Sequence, residues 1–219
     1  YKIKFRKRYK LKSFTMCMKS KKNNIIKEGY DIIFKEGVRT FTVDRLSSIL
    51  RISKKTIYSL FPSKENLIEK IIKYKLSKID NDIKNILKDS TCPLIAFYRV
   101  NQLQIKISSE VDINKISDLK IKYPDIWVHI ENQRRRQRKT LEDIFLMADK
   151  MNYIRKKLNP KEIARLYMNI IERTFQPEFF IQEEVSLKDT VILYSDIMSK
   201  GIFNESALLK LDQIRKNYR

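Results

Sequence analysis

Between Gly37 and Ser63 the sequence stops and starts helices at intervals so short that only a cluster of small helices satisfies them. Ile25, Ile26, Gly29, Ile33 and Phe34 recur on one face of a helix running from Lys21 to about Glu36. Gly37 follows in the C′ position, where a left-handed residue ends a helix without a Cβ penalty. Thr42 then offers the side-chain oxygen of an N-cap, and Asp44 lies in the first turn, where the helix dipole favours an acid. Val43, Leu46, Ile49 and Leu50 form the apolar set of this second helix. Arg51-Ile52-Ser53 breaks it, Ser53 caps a third helix, Pro62 ends that one, and Ser63 caps a fourth that runs towards residue 80 or beyond. Two helices joined by a three-residue turn form the layout of a helix-turn-helix DNA reader.

Turning the third helix at about 100° per residue sorts its side chains. Ile57, Leu60 and Phe61 gather on one side and are the core-facing set. Lys55 and Ser59 point away from them, with Thr56 and Tyr58 on the flanks. The outward set is cationic, hydroxylic and aromatic, and no acid occurs from Lys54 to Leu60. Such a face suits a groove lined by phosphates and base edges. Lys54 and Lys55 also sit at the helix end whose dipole disfavours cations, which an external anion would offset.

The run "FTVDRLSSILRISKKTIYSLFPSKENL" resembles the DNA-binding signature of TetR-family transcriptional regulators, which reads Thr-Val-x-x-Ile-Ala, Gly-Val-Ser, Thr-Leu/Ile-Tyr-x-x-Phe and Ser-Lys-Glu-x-Leu. Thr42, Val43, Ser53, Thr56, Tyr58, Phe61, Lys64, Glu65 and Leu67 fall in register, and Phe34 with Gly37 resembles the family's Leu-Phe-x-x-x-Gly element. The likeness covers about residues 21 to 70. Leu46-Ser47 departs from Ile-Ala, Arg51 stands where the turn glycine is common, and Gly29 sits where alanine is usual. The turn at Arg51 therefore either avoids positive φ or tolerates strain. The resemblance implies that Thr42, Lys64 and Tyr58 contact phosphates. It also implies that Lys54, Lys55, Thr56 and Ser59 occupy the base-reading and backbone-contacting surface, with Arg45, Arg51 and Ser53 completing the DNA-binding set.

Charge agrees with a polyanion partner. Of the formal +21, residues 1–22 carry +10 without one acid, residues 23–75 carry +5, and the remaining two thirds carry only +6. Residues 1–20 read as a basic arm binding phosphates or, equally, as a leader upstream of a start at Met16 or Met18. Cys17 and Cys92 lie far apart with no metal-ligand spacing, consistent with free thiols in a reducing cytoplasm. No apolar run reaches the ~18 residues of a membrane span, so no membrane partner is expected.

With three glycines, five prolines and pervasive 3.6-residue periodicity, the chain reads as all-α. Residues 21–68 form the helix-turn-helix DNA-binding domain. Residues 69–219 form a larger helical domain, with helices expected at 92–110, 123–150, 161–176 and 187–202. Pro124 and Pro160 fit first helical turns. By resemblance this domain binds a small-molecule effector and dimerises through its last two long helices. The candidate pocket residues are Phe97, Tyr98, Trp127 and Phe145, with Tyr153 a further aromatic, although aromatics at helical spacing are more often plain core. The candidate dimer stripes include Leu166 and Ile170 on one helix and Val191, Tyr194 and Met198 on another. "ENQRRRQRK" at 131–139 reads as a solvated helix face, and His129 as a surface or satisfied residue.

Together these features point to a homodimeric, sequence-specific regulator of transcription that binds a pseudo-palindromic double-stranded operator and is released from it by an unknown effector. No cofactor is expected. The rival enzyme reading lacks support: there is one histidine, no glycine-rich phosphate loop and no nucleophile motif. A helical module engaging protein or membrane fits the basic charge but leaves the Lys-Thr-Tyr-Ser face unexplained.

Overall fold

A computed structural model describes residues 2–218, with side chains at position 18 and from 20 to 218. Among these residues eleven helices succeed one another: α1 (Lys2–Glu36), α2 (Val43–Leu50), α3 (Lys54–Leu60), α4 (Lys64–Asp89), α5 (Pro93–Glu110), α6 (Ile113–Lys122), α7 (Pro124–Lys150), α8 (Pro160–Thr174), α9 (Pro177–Gln182), α10 (Leu187–Ile202) and α11 (Glu205–Asn217). The fold is all-α; one antiparallel bridge joins Ile154 to Phe203. The chain divides into two compact units, Tyr1–Lys75 and Leu76–Arg219, and α4 contributes to both.

In the smaller unit the caps lie where the residue types place them. Gly37 adopts φ 94° and its N–H donates to the Ile33 carbonyl at 2.9 Å, ending α1. Thr42, Ser53 and Ser63 accept from the backbone N–H groups of Arg45, Thr56 and Asn66 at 3.1, 3.1 and 3.0 Å, opening α2, α3 and α4. Phe41, Leu46, Ile57, Phe61, Leu67 and Ile71 are buried together. Each such side chain withdrawn from water contributes on the order of 1.5–3 kcal/mol.

Three details depart from expectation. α1 starts at Lys2 rather than Lys21, because the intervening residues include no glycine or proline and are rich in good helix formers. Most side chains of the expected 1–20 arm, Cys17 among them, lie outside the described residues. Ile49 is 45% exposed and Leu60 only half-buried, since in helices of two turns the inward side is already taken by Val43, Leu46 and Ile57. Gly29 has a packing reason: a Cβ there would lie 2.5 Å from Ile71 Cδ1 and 3.4 Å from the Phe41 ring, so the glycine admits α4 close to α1.

In the larger unit α7 packs along α8, α5 packs on α7, α10 and α11, and α6 lies against α7 and α9. The expected helices correspond to α5, α7, α8 and α10, three of them opening on Pro93, Pro124 and Pro160. α6, α9 and α11 were not expected. The core centres on Phe97, Phe145 and Phe203, whose ring centroids lie 5.1 to 6.4 Å apart. A polar thread crosses it. Asn101 Nδ2 donates to the Phe97 carbonyl at 2.8 Å, Tyr167 OH donates to Asn101 Oδ1 at 3.3 Å, and Tyr194 OH donates to the Tyr167 carbonyl at 2.7 Å. Burial pushes both tyrosine hydroxyls well above their ordinary pKa and keeps them neutral donors. No helix among the described residues is long and apolar enough to cross a membrane.

Candidate nucleic-acid interface

The smaller unit presents a continuous polar face built by the starts of α2 and α3 and the turn between them. Ile57 and Phe61 anchor α3 from the inside, at 0% and 1% exposure, so the opposite side of this helix must face solvent. There Lys54, Lys55, Tyr58 and Ser59 are exposed and Thr56 is half-buried. Thr42, Arg45, Arg51 and Ser53 are also exposed, while Lys64 is half-buried with its Nζ 6.0 Å from the Phe41 ring centroid. All ten residues thus belong to α2, α3, their caps and the first turn of α4.

The hydroxyls of this face are partly committed. Ser53 and Thr56 share a 2.9 Å hydrogen bond, and Ser59 Oγ donates to the Thr56 carbonyl at 2.8 Å. This fixes their side chains on the α3 surface, leaving spare acceptor capacity on each oxygen.

The turn resolves the two substitutions in the TetR-like signature. Arg51 occupies the left-handed region at φ 53°, ψ 41°, the conformation that favours glycine, so the turn carries strain. Its N–H and that of Ile52 reach back to the Ser48 and Ser47 carbonyls at 3.3 and 3.1 Å. Ser47, in place of alanine, donates its hydroxyl to the Ile52 carbonyl at 2.5 Å.

Acids on the same unit hold two of the cations. Arg45 forms a two-pronged ion pair with Glu36, the last residue of α1, and Lys54 pairs with Asp44. The hydrogen bond from Lys54 to Asp44, reinforced by charge attraction, raises the lysine pKa above its ordinary value. Sequence reading gave Asp44 only a helix-dipole role, because pairing between α2 and α3 depends on how the turn folds them together.

The candidate effector residues separate into two places. Phe97 and Phe145 are at 2% and 0% exposure in the central aromatic cluster, and Tyr98 is half-buried beside Tyr218, with centroids 5.8 Å apart. Trp127 stands apart, eighteen residues before Phe145 on α7, which is about 27 Å along a helix. Its Nε1 donates to Glu131 at 3.1 Å, and Lys120 Nζ and Arg134 Cζ lie 5.6 and 5.9 Å from its ring. The two places are therefore far apart along α7.

The 131–139 run is not a uniformly solvated face. Gln133 is buried, donating from Nε2 to Leu76 O at 3.0 Å and Asp80 Oδ1 at 3.1 Å, and Arg134 donates to the Phe175 carbonyl at 2.9 Å. Arg135, Arg136, Arg138 and Lys139 are exposed. The dimer candidates also divide. Leu166 is 59% exposed and Ile170 half-buried, whereas Tyr194 and Met198 pack against their own core and Val191 is half-buried on the same helix. The most exposed apolar residues of α10 are Leu193 and Ile197, at 60% and 57%, with Ile192 also exposed beside them.

Comparison with known proteins gives these features their context. No protein-family model matches the chain. It is 19% identical over 181 residues to the uncharacterized HTH-type transcriptional regulator YvaF of Bacillus subtilis, covering 81% of this chain and 93% of that protein. A TetR transcription regulator from Haloarcula marismortui superposes with a TM-score of 0.69 at 12% identity, over 85% of this chain and all of that one. A transcriptional regulator from Saccharomonospora viridis in complex with choline gives 0.68 at 15% identity, over the same shares.

Proposed function

From a chain that has the fold of TetR-type transcriptional regulators, we propose a sequence-specific DNA-binding regulator, acting as a homodimeric repressor released by a small effector. The observation that carries this reading is the α3 face: Lys54, Lys55, Tyr58 and Ser59 exposed without an acid in the helix, opposite the buried Ile57 and Phe61. Lys55, Thr56 and Ser59 take base edges in the major groove. Thr42, Arg45, Arg51, Ser53, Lys54, Tyr58 and Lys64 take the phosphates around them.

Dimerisation uses the outward side of α8 and α10, where Leu166, Ile170, Leu193 and Ile197 leave apolar surface uncovered. Two copies then read half-sites about one DNA turn, ~34 Å, apart. The effector binds in the larger unit and favours the DNA-free state, lowering operator affinity through differential binding. In the Saccharomonospora viridis protein the bound molecule is choline. Such a protein works in the cytoplasm.

Selection of bound duplexes from a random pool tests the proposal. A palindromic consensus is expected, and Lys55→Ala and Tyr58→Ala should each weaken its binding with fold and assembly unchanged. Recovery of duplexes without any shared sequence, or wild-type affinity in both variants at matched salt, overturns it.

A further inference from the structure

We propose that Asp44 is an internal counter-ion that withholds Lys54 from sequence-independent DNA binding and yields it to a phosphate only when α3 docks at an operator. The inference rests on the DNA-binding reading above.

Asp44 is the second residue of α2 and Lys54 the first of α3, and their side chains form an ion pair while remaining 70% and 57% exposed. An acid on a face otherwise prepared for phosphates repels the partner it lies beside. The α2 dipole favours an acid at this position, and pairing with Lys54 offsets the repulsion that the same acid would exert on DNA. The same device recurs at Arg45, held by Glu36, whereas Arg51 and Lys55 have no ion-pair partner among the described residues. Two of the four cations in this stretch are therefore neutralised in advance, and two are free.

The energetics favour a conditional contact. An ion pair this exposed stabilises little, so a closely docked phosphate displaces it readily. Sequence-independent binding is electrostatic and loosely positioned, and its salt dependence counts the phosphates neutralised. With the pair intact, Lys54 adds nothing to that count. At an operator, α3 is seated in the groove, the Lys54 ammonium exchanges Asp44 for a phosphate, and the count rises by one. Asp44 thus makes one cation report the docked state.

The test is the salt dependence of binding to a random-sequence duplex and to a selected operator, for wild type, Asp44→Asn, Lys54→Gln and the double variant, with thermal melting to check that each is folded. On random duplex, Asp44→Asn alone should steepen the slope of log K against log salt by about 0.9, and adding Lys54→Gln should remove that gain. On the operator, Asp44→Asn should leave the slope in place, and Lys54→Gln in the Asp44→Asn background should lower it by about 0.9. A random-duplex slope indifferent to Asp44→Asn overturns the inference, as does an operator slope indifferent to Lys54. Absence of duplex binding by the wild type at low salt would instead remove the DNA-binding reading itself.

Discussion

The Ser47 hydroxyl spans the turn between α2 and α3 to donate a 2.5 Å hydrogen bond to the Ile52 carbonyl, beside an arginine in the left-handed conformation. The two residues that depart from the TetR-like signature at this turn are therefore physically linked. A residue with a Cβ at Arg51 costs roughly 1–2 kcal/mol of local strain, and Ser47 adds a bond that alanine cannot make.

Replacing Arg51 by glycine should move stability and DNA affinity in opposite directions. Relief of the left-handed strain, less the greater freedom glycine gives the unfolded chain, leaves a gain of about 0.5 kcal/mol. Loss of the cation should lower the salt slope of DNA binding by about 0.9. Chemical denaturation and salt-titrated DNA binding measure the two separately; a variant that loses stability contradicts the strain assignment.

Ser47→Ala removes the turn bond and should destabilise the smaller unit by about 1 kcal/mol. In the Arg51→Gly background the loss should shrink, because a relaxed turn needs less support. A double-mutant cycle reads this coupling; additive effects would show that Ser47 and Arg51 act independently.

Gly29 offers a graded test of the α1–α4 approach. Alanine gains about 1 kcal/mol of helix propensity but drives its Cβ to the Ile71 terminal methyl, so the net change should be small. Valine cannot be accommodated by moving that methyl alone and should cost about 1–3 kcal/mol. Thermal melts of both variants decide, and a neutral valine would show that the contact is loose.

Leu193→Glu with Ile197→Glu places charge on the outward side of α10 while sparing its packed residues Tyr194 and Met198. Sedimentation should show a monomer with unchanged helicity and weaker binding to a palindromic duplex. A dimer that survives both charges places the self-association surface elsewhere.

How much of this was legible differs between the two units. In the smaller unit the helix ends are encoded by single residues with local roles, Gly37, Thr42, Ser53 and Ser63, so caps and turns follow directly. In the larger unit periodicity reveals a stripe but not what covers it. Tyr194 and Met198 are periodic because their own core lies against them, and the uncovered residues beside them have the same apolar character. The aromatic set was similarly undivided, since distance along α7 enters only once Trp127 and Phe145 are placed on a single helix. α11 carried a usable signal in Asn204, Ala207 and Leu211, a cap followed by buried positions four apart, while six-residue α9 is too short for any period to show. The pairing of Asp44 with Lys54 is invisible to any reading confined to one helix at a time.

The chain's single tryptophan, Trp127, lies in the larger unit, flanked by Lys120 and Arg134. Its fluorescence is consequently a private reporter of that unit, whereas circular dichroism sums the helices of both. Substitutions at Gly29, Ser47 or Arg51 that shift the dichroism midpoint and leave the fluorescence midpoint in place would reveal two separately melting bodies. Coincident shifts would reveal one cooperative transition, with α4 as the covalent path along which unfolding spreads.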